Sequence, residues 1–172
     1  MATIIKVIAP DLFSPPIVKD KKEGIGAFLS YDWYFDFIKK YIRNRNEIFL
    51  VPCAETKPIH TSPMHKSIYQ KFAFKFGHGR EVLVVSEPVV LIRYSDLREL
   101  ETVFCYDFPP KLLDKECRDF FVKRLRRLLL NKDIVGCLPR HHASLVNDAI
   151  GIGWRNYWSG DLYAMMRKAG SL

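Results

Sequence analysis

No two of the four cysteines form a C-x-x-C pair; Cys53, Cys105, Cys117 and Cys137 stand far apart in the chain. That spacing signals neither a zinc ribbon nor a thioredoxin-type centre, and free cytosolic thiols are the default reading. No apolar run reaches the ~18–20 residues of a bilayer span, so no membrane partner is expected. The opening stretch MATIIKVIAPDLFSPP has no long apolar h-region and no small-residue cleavage site, which favours a soluble, cytoplasmic protein. Neither G-x-G-x-x-G nor a P-loop occurs, which removes the usual nucleotide signatures, and no cofactor is expected. Internal repeats and low-complexity tracts are also missing.

What the chain does have is apolar bulk and positive charge. Its 172 residues, 48% of them hydrophobic, suit one domain over residues 1–172 with a single sizeable core. A net charge of +8 favours polyanionic partners, nucleic acid first. The charge is densest in FVKRLRRLLLNK, where Lys123, Arg124, Arg126 and Arg127 are candidates for phosphate contacts. A solvated helix face is the competing reading.

Hydrophobic patterning predicts strands alternating with helices. TIIKVIA, EIFLVPC, EVLVVSEP and DIVGCLP read as strands, the last three buried on both faces by their continuous apolar character. VVLIRY extends the sheet or forms an edge piece, and KDKKEGIG reads as a solvated loop. SYDWYFDFIKKYIRN fits an amphipathic helix with Ser30 as N-cap and Trp33, Phe37 and Tyr41 along its stripe, widened by Tyr34 and Ile38. SPMHKSIYQKFAFKF is expected as a helix capped by Ser62, with Pro63 in its first position. LDKECRDFFVKRLRRLLLNK is the clearest helix; RHHASLVNDAIGIG and NYWSGDLYAMMRKA are two more. The alternation predicts an α/β domain with a mainly parallel sheet. Ligands of such sheets sit at strand carboxyl ends, which gathers Cys53, Glu87 and Pro139-Arg140-His141 at one edge.

Between Leu50 and Phe72 the chain leaves a strand and supplies a thiol, an amine, a serine and two imidazoles in quick succession. Cys53, followed by a helix start and by Lys57, is a candidate thiolate nucleophile, with His65 giving or taking a proton. A buried structural thiol competes with that reading. Lys57 holds an anionic group, lowers the thiol pKa, or is a solvated loop residue. Ser62 is most economically a cap. His60 and His65, five apart across a helix start, have a poor metal-pair spacing, so no metal is expected.

The run Pro52-Cys53, three residues, Lys57-Pro58-Ile59, two residues, Ser62, two residues, His65 resembles the archaeosine synthase signature. That signature reads Pro-Cys-x3-Lys-Pro-Tyr-x2-Ser-x2-His, so Ile59 stands where the family has tyrosine. VVSEP and Tyr106-Asp107 also look like that enzyme's core domain, and the resemblance runs from about Glu47 to His142. It implies a three-layer α/β sandwich similar to the uracil-DNA glycosylases. It implies, too, an enzyme that joins lysine to the nitrile of 7-cyano-7-deazaguanine in tRNA, forming an amidine. On that resemblance Cys53 is nucleophile and His65 proton shuttle, while Lys57, Ser62, Glu87, Asp107 and His141 bind substrate, Glu87 at the guanine-like edge. Direct attack by lysine, with Cys53 structural, is the alternative mechanism. The family's RNA-binding appendages find no room in 172 residues. The expectation is therefore a compact version acting on tRNA or DNA, or one working with a partner protein that supplies RNA binding. Two other readings stand beside it: a non-catalytic nucleic-acid-binding module using the same pocket, and a glycosylase-like enzyme. The second would want a water-activating carboxylate in a polar loop, and none stands out.

Overall fold

Among the described residues, five strands form one sheet in the order β3-β2-β1-β4-β5. They are β1 (Glu47–Pro52), β2 (Glu81–Ser86), β3 (Val90–Arg93), β4 (Asp133–Gly136) and β5 (Arg155–Asn156) in a computed structural model that describes residues 8–66 and 80–158. The central strand β1 pairs in parallel with β2 on one side and β4 on the other, setting Leu50 opposite both Leu83 and Gly136. Ile48 to Val51 and Leu83 to Val85 are buried, as expected for parallel strands covered on both faces. β3 returns antiparallel to β2 across the Glu87–Val89 turn, and β5 adds a short parallel edge. The chain is thus α/β with a mainly parallel sheet.

Gly136 is closely packed. A Cβ there would lie 3.1 Å from the Leu50 carbonyl oxygen and 3.1 Å from the Trp154 ring, so those neighbours would have to give way by a few tenths of an ångström. The glycine lets Trp154 close over the β1–β4 pair.

Among the described residues, the helices are α1 (Gly24–Ser30), α2 (Asp32–Tyr41), the single turn α3 (Asp96–Glu99), α4 (Lys115–Leu129) and α5 (Arg140–Ile150). Asp114 caps α4 by accepting from the Cys117 N–H at 2.9 Å, and Cys117, Phe121, Leu125 and Leu128 form its buried face. α5 ends at Gly151, whose φ of +83° suits glycine at a helix C-terminus. No helix among the described residues is long and apolar enough to cross a membrane.

Three local readings change. KDKKEGIG is not a loop: Asp20 caps a 3-10 turn over Lys21–Glu23 that leads directly into α1. Ser30 is not the cap of α2. It is the last residue of α1, and its hydroxyl donates back to the Ala27 carbonyl at 2.7 Å. The buried face of α2 centres on Tyr34, Phe35 and Ile38, with Trp33, Phe37 and Tyr41 at its margin. The margin is held by charge, because the Arg93 guanidinium lies over Phe37 and Tyr41. Arg93 itself pairs with buried Asp96, which also accepts from Tyr34 Oη at 2.6 Å.

The expected TIIKVIA strand lies largely outside the described residues, as do most of the helix after Ser62 and the tail helix. Residues 63–66 are helical, and Ser62 Oγ accepts from the His65 N–H at 3.2 Å, the cap that Ser-Pro predicted.

Candidate functional site

The carboxyl ends of β1, β2 and β4 converge, and the chemistry-bearing side chains follow from that convergence. The Cys53 N–H continues the ladder by bonding the Val85 carbonyl at 3.1 Å, which seats the thiol beside the exit of β2. Ser86 and Glu87 follow on β2. Beyond β4 the Cys137 N–H bonds the Leu50 carbonyl at 2.9 Å, and α5 begins three residues later with Arg140, His141 and His142 in its first turn.

Glu87 is 3% exposed, and both its oxygens are occupied. His141 Nε2 donates to Oε1 at 2.5 Å, and His142 Nε2 approaches Oε2 at 3.1 Å. Burial opposes ionisation of Glu87, yet the two histidine hydrogen bonds outweigh it and hold the carboxyl well below the usual range. His142 Nε2 also lies 3.9 Å from Cys53 Sγ. Burial works against a charge on His142, but its bonds to Cys53 and Glu87 raise its pKa to about 10. The thiol and the carboxylate therefore meet at one atom, His142 Nε2, and His142 is the group placed to exchange a proton with the sulfur.

Cys53 and Glu87 face a cavity of about 490 Å³ that is also bounded by Lys57, Tyr106, Asp107 and the Phe108–Pro110 wall, with His142 behind them. The volume is that of a small-molecule or single-base site. Lys57 Nζ donates to the Ala54 carbonyl at 2.9 Å and sits 4.5 Å from the Tyr106 ring centroid. Burial pushes its amine below the ordinary lysine value, with the nearby acidic groups acting against the shift. Tyr106 is buried, and its hydroxyl bonds Ser86 Oγ. Asp107 joins the Ile17 segment through its backbone, which leaves its exposed carboxylate at the cavity rim. Three donor atoms, one each from Cys53, Glu87 and His142, lie within 4.8 Å of one another, a grouping that could hold a metal ion.

Three expected roles are revised. His65 is not positioned as the proton shuttle: it is fully buried, and Nε2 donates to the Pro52 carbonyl at 2.8 Å. The hydrogen bond to Cys53 comes from His142. Burial lowers the His65 pKa to about 4. Ser62, buried with its hydroxyl engaged as a cap, braces the His65 turn rather than touching a ligand. Glu87 lines the cavity, but each of its oxygens already accepts from a histidine, so it orients the pair and has less acceptor capacity to spare for a guanine-like edge.

His142 is the site residue that sequence reasoning missed. The adjacent histidines were visible, but neighbours in a helix point about 100° apart. Which one faces the thiol depends on how α5 sits against the strand ends.

His65 carries a pH prediction. Its folded pKa lies below its unfolded value of 6.5, so the unfolded chain binds more protons between them. Its contribution is complete above pH 6.5 and is lost as pH falls toward 4. Denaturant titrations at pH 7 and pH 5 should show wild type losing about 2 kcal/mol more than His65→Gln. Equal losses in the two proteins would show that His65 titrates normally.

The basic helix divides in two. Arg124 lies over the Phe35 and Phe120 rings, each 4.5 Å away, and pairs with Asp32, so it belongs to the α2–α4 contact. Arg126 Nη1 donates to the Ala149 carbonyl at 3.1 Å at the end of α5. Lys123 and Arg127 are exposed beside a second cleft of about 390 Å³ that Lys39 also lines. If phosphates bind there, Lys123→Ala with Arg127→Ala should flatten the salt dependence of nucleic-acid binding by about two slope units. An unchanged slope would make them a solvated face.

No family model matches the chain, and no curated protein matches it. Among solved structures it is similar to the crystal structure of AF0587, a protein of unknown function, at a TM-score of 0.51 and 16% identity. The alignment covers 80% of this chain and 48% of AF0587, so the chain spans about half the length of that protein. The likeness is one of fold.

Proposed function

We propose that this chain modifies a nucleobase, joining lysine or another amine to the nitrile of 7-cyano-7-deazaguanine in tRNA or DNA. The observation that carries this reading is the Cys53–His142–Glu87 cluster, of which Cys53 and Glu87 face a cavity that Lys57 also lines. A thiol beside an imidazole charged by a buried carboxylate suits addition to a sluggish electrophile; binding alone needs none of them. The resemblance of the Pro52–His65 motif to archaeosine synthase directs the reading toward a nitrile.

The chemistry balances without an oxidant or a cofactor. Cys53 sulfur attacks the nitrile carbon, one C–N π bond opens, and the nitrogen takes a proton from His142, giving a covalent thioimidate. The incoming amine adds to the same carbon and passes a proton to His142. The carbon–sulfur bond then breaks, sulfur leaves as thiolate, and the C=N bond reforms as an amidine. Glu87 accepts from His142 Nε2 while that nitrogen carries its proton, so the ionised carboxylate stabilises the charged ring.

Asp107, the free carboxylate at the rim, replaces Glu87 as the acceptor for the N–H donors of a guanine-like edge. Phe108, Pro109 and Pro110 supply an apolar wall for the flat ring. The test is mass spectrometry of nucleosides after incubating the protein with nitrile-bearing tRNA or DNA and lysine. An amidine-linked lysine adduct is expected. Binding of the nitrile base with no product and no protein adduct would move the chain to the non-catalytic binding module.

A further inference from the structure

Cys53, Glu87 and His142 have a second capacity that nucleophilic catalysis does not use. Their sulfur, oxygen and nitrogen donors lie within 4.8 Å of one another. His142 Nε2 is 3.9 Å from Cys53 Sγ and 3.1 Å from Glu87 Oε2. In a tetrahedral zinc site with metal–ligand bonds of ~2.0–2.3 Å, donors are about 3.3–3.6 Å apart. The two measured separations straddle that span. The sulfur–carboxylate edge can close by rotating the Cys53 side chain, which is half-buried and faces the cavity.

We infer that this trio is a binding site for a thiophilic divalent cation of the zinc class, with its fourth position open to the cavity. Three features of the fold favour it. The donors come from the ends of β1 and β2 and the first turn of α5, elements fixed by the sheet ladder before any ion arrives. Glu87 and His142 are 3% and 5% exposed, so little water competes for them. The second Glu87 oxygen accepts from His141, the outer-shell hydrogen bond that orients a ligating carboxylate. Thiolate and imidazole donors select against magnesium and calcium, which want oxygen. On binding, the Cys53 thiol and the His142 Nε2 give their protons to solvent as the metal bonds form, and no electron is transferred. The ion takes the place of the hydrogen that now bridges His142 and Glu87.

Binding rests on this geometry alone; its consequence rests on the proposed function. A metal and a nitrile need the same sulfur, so the cation silences the nucleophile until a chelator removes it.

Cobalt(II) is the probe, because a cobalt–thiolate bond gives a near-ultraviolet charge-transfer band that needs no turnover. Added to the metal-free full chain, one equivalent should produce the band, and zinc(II) should displace it. Cys53→Ser should abolish the band, with circular dichroism confirming the fold. Cys105→Ser should keep it, since Cys105, the other thiol lining the cavity, bonds the Glu101 carbonyl and is outside the trio. His141→Ala should weaken affinity by about 10–100-fold. A wild-type protein without the band, or a Cys53→Ser protein that retains it, overturns the inference. Cobalt binding without amidine formation upholds the site and removes the enzyme reading, while amidine formation without cobalt binding does the reverse.

Discussion

Replacing Cys53 by alanine should remove the covalent nitrile adduct and lower amidine formation by about a thousandfold or more, roughly 4 kcal/mol of transition-state stabilisation. The adduct is a simple addition, so wild-type protein mixed with a nitrile-bearing 7-deazaguanine should gain the full mass of that base. The variant should gain nothing. Its fold should persist, because the thiol is small, half-buried and beside a cavity, and its loss leaves little new void. His142→Ala should slow turnover by about 10²–10⁴-fold with substrate still bound, the range for a positioned proton donor. A Cys53→Ala protein that still made the lysine adduct at the wild-type rate would leave direct amine attack as the mechanism and make Cys53 a structural thiol.

Glu87 carries the second large effect, on stability as well as rate. Its carboxylate is buried between His141 and His142, and removing it leaves His142 enclosed without its counter-charge. Breaking such a buried pair costs about 3–5 kcal/mol, and His142 can moderate the loss by shedding its proton. Glu87→Ala should therefore sit near 3 kcal/mol, a drop of roughly 10 °C in Tm for a chain of this size. The pH dependence has a definite sign. The folded pKa of Glu87 is depressed, so its contribution is fully present above its unfolded value of 4.5 and is lost as pH falls below that. A melting temperature within about 2 °C of wild type at pH 7 would mean that the histidine–carboxylate contacts contribute almost nothing to the fold. Glu87→Gln separates charge from shape: it keeps the side chain's volume, loses the charge, and should lower turnover more than it lowers Tm.

Local pattern by itself determined much of this protein. The apolar runs EIFLV, EVLVV and DIV cannot be half-exposed, so they are strands buried on both faces, and their carboxyl ends had to carry Cys53, Glu87 and the histidine pair. The 3.6-residue spacing of Cys117, Phe121, Leu125 and Leu128 determined α4, and Ser-Pro determined the cap ahead of His65. These features rest on neighbours in the chain and survive any tertiary arrangement. Tertiary structure alone decided the partners. His65 follows Cys53 by twelve residues, yet its ring turns to the Pro52 carbonyl, while His142, eighty-nine residues away, reaches the sulfur. Arg124 and Arg126 belong to a basic run in sequence but to interhelical contacts in space. The physical reason is common to both. A side chain's direction is set locally by its helix or turn, but what it meets depends on how that element is laid against the sheet, which hydrophobic burial over the whole chain decides.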